Sequence, residues 1–185
     1  MALKLVTPPE TEPVSLEQAK AQLRVTDSDQ DSLIGGKVRA AREFVETQTQ
    51  RALLEQTWRL SLDRFPWDGV ILLPRPPLLE VVSVKYVDAL GVLQTLTEDV
   101  DYTVDADSEP ARLVPAYELA WPESRDVPNA VLVEFTAGYG SDPDAVPGEL
   151  VEAMLLWIQH LYDGDDAAAQ VAVRRLEPYR VWRIR

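Results

Sequence analysis

Three aspartates at alternate positions form the sequence feature that comes closest to a metal-binding motif. Asp27, Asp29 and Asp31 have the first three spacings of an EF-hand loop, in which carboxylate oxygens bind calcium. The sixth position of such a loop requires glycine and the twelfth a bidentate glutamate, but this chain has Ser32 and Val38 there. We therefore interpret the aspartates as the acidic start of a helix, where carboxylates interact favourably with the helix dipole.

The densest acidic run lies in the middle of the chain and raises the question of a metal site or an acid–base pair. Its members are Glu98, Asp99, Asp101, Asp105, Asp107 and Glu109. Paired carboxylates hydrolyse glycosides or bind divalent ions. Nothing in the pattern encloses this run in apolar surface, which is what would shift a pKa far enough for catalysis. We interpret it as a solvated loop and predict no catalytic residue and no metal site.

Other signatures of catalysis are weak or missing. The sequence has no cysteine, which excludes disulfides, thiolate nucleophiles and zinc–thiolate sites, and it has one histidine, His160. Because His160 and Trp157 share an apolar helical stretch, we interpret the histidine as a hydrogen-bonded core or boundary residue. Gly138 and Gly140 belong to no phosphate-binding motif and predict a tight turn with positive φ. The sequence therefore predicts a protein that is not an enzyme and binds no cofactor.

The C-terminal end combines positive charge with apolar side chains, a composition typical of a binding segment. The candidate partner-binding residues are Arg174, Arg175, Arg180, Val181, Trp182, Arg183, Ile184 and Arg185. Arginine beside aromatic residues is typical of protein interfaces and also of nucleic-acid-binding arms. A solvated end gains nothing from Val181, Trp182 and Ile184. We favour a protein partner, with Trp182 and Val181 as anchors of a segment that orders on binding. A nucleic-acid arm and a solvated end are the alternatives.

Charge divides the chain into an acidic body and a basic tip. The 185 residues contain 18 Lys+Arg and 31 Asp+Glu, a net charge of −13. Residues 174–185 contain five arginines and one glutamate, so this tip carries +4 and the other 173 residues carry −17. Such a body is a poor ligand for the phosphates of nucleic acid. No apolar stretch reaches the roughly 18 residues needed for a membrane-spanning helix, so no membrane contact is predicted.

The elements that must position these residues begin with helices near both ends of the chain. Ser15 and Gln18 have the spacing of a capping box, and Gly164 is suited to end a helix. Apolar residues in the adjoining segments recur at steps of three and four. Helices are predicted over residues 15–24, 28–50 and 148–163.

The middle of the chain changes to the two-residue period of β-strands. Val131, Val133 and Phe135 lie on one face of the clearest strand. The fold class is therefore α+β: a helical bundle of two N-terminal helices and a buried C-terminal helix, with an inserted region of about five short antiparallel strands. The predicted organisation is an extended proline-bearing arm over 1–13, a single α+β domain over 14–165 with strands over 56–136, and a C-terminal helix with a basic tail over 166–185.

Ordered motifs along the chain resemble those of the head–tail connector (adaptor) proteins of long-tailed bacteriophages and gene transfer agents. The run PVSLEQAKAQLRV over residues 13–25 is similar to that family's PVSLxEAKxxLRV start. The segments that continue the resemblance are AAREFVE (40–46), QTW (56–58), LPRPPL (73–78), VEFTAGYG (133–140), and VP (146–147) with the helix that follows it.

The resemblance implies a structural, non-enzymatic protein that forms a homo-oligomeric ring of about twelve copies below the portal. Such a ring extends the DNA channel, joins capsid to tail, and contacts the portal protein and the next tail or stopper component. The location implied is the virion or a phage-like particle, assembled in the bacterial cytoplasm. An acidic channel wall lets DNA pass without specific binding, and we predict that residues 174–185 dock onto the portal. The alternative is a small acidic protein-binding module or regulator, also without enzymatic activity.

Overall fold

The computed structural model describes residues 1–181, which form four α-helices and eight β-strands. The chain divides into two compact units. The first, the sheet unit, comprises Met1–Pro8 and Glu55–Gly138, and the second, the helical unit, comprises Pro9–Leu54 and the chain from Tyr139 onward. The α+β class predicted from the sequence is confirmed.

The sheet unit contains two antiparallel sheets. Its strands are β1 (Ala2–Thr7), β2 (Gln56–Leu62), β3 (Ile71–Leu73), β4 (Leu78–Val87), β5 (Leu93–Leu96), β6 (Tyr102–Asp105), β7 (Ala111–Pro115) and β8 (Val131–Ala137). The larger sheet has the order β1-β2-β8-β4-β5 and the smaller one the order β3-β7-β6. The sequence predicts about five strands between residues 56 and 136, whereas this region contributes seven. The difference arises because β3, β5 and β6 span only three or four residues each, too few for a clear period.

Strand β8 is the centre of the five-stranded sheet and supplies much of its buried apolar surface. Val131, Val133 and Phe135 are fully buried, which confirms that they lie on one face. Val133 lies opposite Leu60 of β2 and opposite Val84 of β4, and both partners are also fully buried. Such apolar cross-strand pairs stabilise a sheet and fix its register.

The N-terminal segment belongs to the sheet unit as the edge strand β1. It pairs with β2 in an antiparallel ladder that runs from Ala2 opposite Ser61 to Leu5 opposite Trp58. The strand covers Ala2–Thr7 of the predicted arm over 1–13. The proline pattern that predicts extension carries no information about a pairing partner.

The helices of the helical unit begin and end close to the predicted positions. They are α1 (Leu16–Leu23), α2 (Asp31–Thr49), α3 (Gly148–Asp163) and α4 (Asp166–Leu176). The capping box is present, because the Ser15 hydroxyl accepts from the Gln18 N–H at 3.1 Å and the Gln18 side chain accepts from the Ser15 N–H at 2.8 Å. Gly164 ends α3 with a φ of 75°. Among residues 1–181, no helix combines the length and apolar character needed to cross a membrane.

Helix α3 is the centre of the helical unit and packs against α1, α2 and α4. The shared core contains Ile34 and Val38 from α2, Met154 and Ile158 from α3, and Leu176 from α4. Helices from both sides of the inserted strands therefore bury one core, while the strands form a unit of their own. The sequence predicts a single domain over 14–165, because local patterns identify elements but do not say which elements share a core.

Candidate functional site

Helix α4 carries the first residues of the predicted binding segment. Ala168, Ala172 and Leu176 recur every four residues on this helix and are buried in the helical unit. Arg174 and Arg175 lie in its last turn, where positive charge interacts favourably with the helix dipole. The buried face of α4 thus fixes where the basic segment begins.

The chain beyond α4 is held by the end of α2. It forms a short 3₁₀ turn over Glu177–Tyr179. The Arg51 Nε donates a hydrogen bond to the carbonyl oxygen of Tyr179 at 2.7 Å. The Val181 N–H donates to the carbonyl oxygen of Thr49 at 2.9 Å. Two contacts with the end of α2 therefore order the chain as far as Val181.

The predicted site residues differ in their surroundings. Arg174 and Arg180 are exposed and Val181 is half-buried. Arg175 pairs with Glu149 at 2.5 Å, so its charge is matched within the chain. Residues 174–179 lie in α4 and the 3₁₀ turn, and ordering of the segment on binding stays a prediction. The predicted residues that lie outside the described part of the chain are Trp182, Arg183, Ile184 and Arg185.

A buried ion-pair network stabilises the same end of α2, and no sequence pattern singles it out. The Arg42 side chain donates to Glu12 at 2.7 Å and to Glu46 at 3.0 Å. Glu46 also accepts from the backbone N–H of Leu53 at 3.0 Å, which ties the residues after α2 to the helix. Burial alone would lower the pKa of Arg42. The hydrogen bond to Glu12 and the negative charges of Glu46, Glu12 and Glu43 outweigh burial and raise that pKa.

Carboxylates of the acidic run between residues 98 and 109 accept hydrogen bonds that stabilise turns and strand ends. Asp105 accepts from the Arg112 Nε at 2.7 Å and from the Ser108 hydroxyl at 2.8 Å. These hydrogen bonds, the one from Arg112 first, lower the pKa of Asp105 to about 2. Asp101 accepts from the backbone N–H of Thr97 at 2.7 Å. In the part of the chain that the structure describes, no three His, Asp or Glu side chains are grouped to hold a metal ion.

Replacing Arg112 with alanine is expected to raise the pKa of Asp105 from about 2 towards its ordinary value of 3.8. The folded-state pKa lies below the ordinary one, so the stability contributed by the carboxylate is complete above pH 3.8 and is lost as the pH falls through about 2. NMR titration of the side-chain carboxyl carbon measures the shift. Ser108→Ala is the matched control and should shift the pKa less. An unchanged pKa in Arg112→Ala would contradict the assignment.

Asp31 and His160, the other residues considered for metal binding or catalysis, also make local structural contacts. Asp31 forms an ion pair with Lys20 at 2.7 Å, at the start of α2. The ring of His160 lies 4.9 Å from the ring of Trp157, centroid to centroid. The His160 Nδ1 is 3.2 Å from the carbonyl oxygen of Asp165, just beyond the end of α3. These contacts are those of a boundary histidine and of an acidic helix start.

The sheet unit presents an aromatic loop surface, which we define as residues 64–69 and 115–124. Trp67 is 98% exposed and Tyr117 is 90% exposed. Phe65 and Trp121 stack on each other within the same loops, with ring centroids 4.8 Å apart. The two loops line an open groove of about 610 Å³. Sequence patterns give no signal for this surface, because the loops have no period.

Known proteins with solved structures share this architecture. Residues 13–85 match the family model described as phage gp6-like head-tail connector protein. The chain is also similar over its full length to a chain in the neck of an empty gene transfer agent particle computed with C6 symmetry. The identity is 25% and the TM-score 0.83, and the match covers 100% of this chain and 98% of that chain. Over residues 13–85, the chain is thus similar to the head–tail connector family.

Two further solved structures are similar to this chain. One is the virion of a native gene transfer agent particle, with 24% identity and a TM-score of 0.80, which shows the fold alone. The other is the neck of a native gene transfer agent particle computed with C12 symmetry, with 25% identity and a TM-score of 0.78. Both matches cover 100% of this chain and 98% of the other. No curated protein sequence matches this chain.

The family match confirms the resemblance seen in the sequence. The matched residues 13–85 include α1, α2, β2, β3 and most of β4. The basic C-terminal segment of the chain lies outside this match, so its partner has to be argued from its own residues.

Proposed function

We propose that this chain is a head–tail connector, a structural adaptor that forms a ring of about twelve copies below the portal, extends the DNA channel and joins capsid to tail. The observation that carries the proposal is full-length similarity to a chain of a neck that was computed with C12 symmetry. Its partners are then other copies of itself, the portal protein and the next tail or stopper component. The connector acts in the virion or phage-like particle after assembly in the bacterial cytoplasm, and we assign it no catalytic role.

The charge of the sheet unit supports a position beside DNA without tight binding to it. The unit contains seven Lys and Arg residues and fifteen Asp and Glu residues, a net charge of −8. Binding to a phosphate backbone depends on its neutralisation by Lys and Arg, whereas like charge repels it. A channel wall of this composition lets DNA pass without holding it.

Microscopy of the assembled particle tests the ring. We expect a closed ring of about a dozen copies between capsid and tail, since head-to-tail contacts close into a ring when their rotation allows it. Native mass spectrometry of the detached neck gives the copy number independently. A particle that contains a single copy, or none, would contradict the proposal.

We also propose that the basic C-terminal segment docks onto the portal. Arg175 is paired with Glu149, and Arg174 is exposed on the segment. The residues beyond Val181 add two arginines, a tryptophan and an isoleucine. Tryptophan and arginine are the residue types that most often dominate binding energy at protein interfaces.

Ending the chain after Val181 is expected to reduce tail attachment about tenfold while capsids still package DNA, because the deleted residues include the anchor Trp182. The truncation keeps the contacts from Arg51 to Tyr179 and from Val181 to Thr49, so the helical unit should retain its far-UV circular dichroism. Counting tailed particles by electron microscopy measures the effect.

A full-length variant with Arg39→Ala is the control, because it removes an exposed arginine from α2 and leaves the C-terminal segment intact. It should attach tails as the unchanged protein does. Normal tail attachment by the truncated chain would reject the docking proposal.

A further inference from the structure

The aromatic loop surface of the sheet unit has the features of a docking site. Trp67 and Tyr117 are almost fully exposed, and Leu119 in the same loops is 55% exposed. Large apolar side chains that cluster on a surface in this way mark interaction sites. Tryptophan and tyrosine are also among the residues enriched at the centres of interfaces.

The loops that present Trp67 are held in place from within the sheet unit. The indole N–H of Trp121 donates to the carbonyl oxygen of Gly69 at 2.9 Å, and the Gly69 N–H donates to the carbonyl oxygen of Pro66 at 3.1 Å. The ring of Trp121 stacks on Phe65. Trp67 therefore lies at the tip of a turn that its neighbours fix. A surface ordered before binding loses less conformational entropy when a partner arrives.

The groove beside Trp67 is large enough to take side chains of a partner. Its volume of about 610 Å³ is within the range of roughly 300–1,000 Å³ that is usual for binding pockets. Phe65, Trp67, Leu119 and Trp121 supply apolar walls. Arg64, Asp68 and Glu123 line the same groove and give it a net charge of −1, so an apolar side chain inside can be accompanied by a cation beside a carboxylate.

Charge decides which class of partner fits. The aromatic loop surface contains three carboxylates and one arginine, a net charge of −2. Arg125 lies just outside this surface, with its guanidinium against Gly91 of the β4–β5 turn. Exposed aromatic rings also stack on nucleic-acid bases, but such sites combine the rings with a positively charged groove. An anionic aromatic groove instead favours a protein segment with positive charge beside large apolar side chains.

We propose that the aromatic loop surface binds a basic, apolar segment of a different protein of the particle, with Trp67 as the central contact. The inference rests on the proposed function, because it requires the connector to have neighbours in a neck. It adds a second partner surface, on the sheet unit, to the basic C-terminal segment of the helical unit.

A photo-crosslinking amino acid at position 67, in connector assembled into purified particles, tests the proposal. We expect it to capture a peptide of another particle protein, identified by mass spectrometry, in which Lys or Arg adjoins large apolar residues. The same amino acid in place of the exposed Leu72 of β3 is the matched control and should not capture that peptide. Capture of DNA, of a second connector copy or of an acidic peptide would overturn the proposal, and so would no capture.

A second measurement separates this inference from the proposed function. Trp67→Ala should leave the unfolding of the isolated connector unchanged, because the side chain is exposed, and should lower retention of the captured protein about tenfold. Trp67→Phe should restore most of the retention. Particles with a complete connector ring and unchanged retention in Trp67→Ala would overturn this inference alone. Particles without a connector ring would contradict the proposed function.

Discussion

Replacing Arg42 with alanine is expected to lower the free energy of unfolding of the helical unit by about 3–5 kcal/mol. The side chain of Arg42 is 7% exposed and donates to both Glu12 and Glu46. Its removal breaks the ion pairs with Glu12 and with Glu46, whose side chain is 9% exposed. Breaking a buried pair costs far more than losing a surface pair, which is worth about 0–1 kcal/mol.

Chemical denaturation followed by far-UV circular dichroism measures the effect, because the helices dominate that signal. Arg39→Ala is the matched control, since Arg39 lies one helical turn away on α2 and is 72% exposed. Its distance to the same Glu12 is 4.0 Å, which is longer than a hydrogen bond. Its cost should stay within about 0.5 kcal/mol. Equal and small costs for the two substitutions would show that the network does not stabilise the fold.

The elements that the sequence predicts well are those defined by signals between near neighbours. The capping box of Ser15 and Gln18 gives the start of α1, and Gly164 gives the end of α3. The alternation of Val131, Val133 and Phe135 gives β8, because a two-residue period is visible in the sequence itself. Each of these signals is complete within a few residues.

Contacts between distant residues could not be predicted in this way. The pair Arg42 and Glu46 has the four-residue spacing of a helical ion pair, but the third member, Glu12, lies in a segment predicted as an extended arm. Nothing in the pattern of β1 reveals β2 as its partner, since the ladder joins residues fifty or more positions apart. The division into two units follows from such pairings and is hidden from local patterns for the same reason.

The two candidate binding surfaces also differ in whether the sequence reveals them. The basic C-terminal segment is visible in the sequence because charge and aromatic content are properties of composition. The contacts of the segment are not visible in the sequence. Arg175 pairs with Glu149 because the fold packs α4 against α3. Phe65, Trp67 and Trp121 are all aromatic residues in loops, so the sequence does not distinguish them. Only the fold stacks Phe65 on Trp121 and leaves Trp67 exposed.

Replacing Leu176 with alanine is expected to lower the free energy of unfolding of the helical unit by about 2–5 kcal/mol, the usual cost of truncating a buried leucine. Leu176 is fully buried and is the last residue of α4. Denaturation followed by far-UV circular dichroism measures the change. Val171→Ala on the same helix is the control, because Val171 is 42% exposed and its truncation should cost within about 0.5 kcal/mol.

The position of Leu176 gives this substitution a second consequence. The 3₁₀ turn follows it directly, and the hydrogen bonds from Arg51 to Tyr179 and from Val181 to Thr49 depend on where α4 ends. Faster amide hydrogen exchange at Val181 is therefore expected in Leu176→Ala but not in Val171→Ala. Leu176→Met keeps most of the volume, should cost less than about 1.5 kcal/mol, and should keep the exchange slow. Unchanged exchange at Val181 in a destabilised Leu176→Ala would mean that α2 alone holds the C-terminal segment, and that the packing of α4 does not position it.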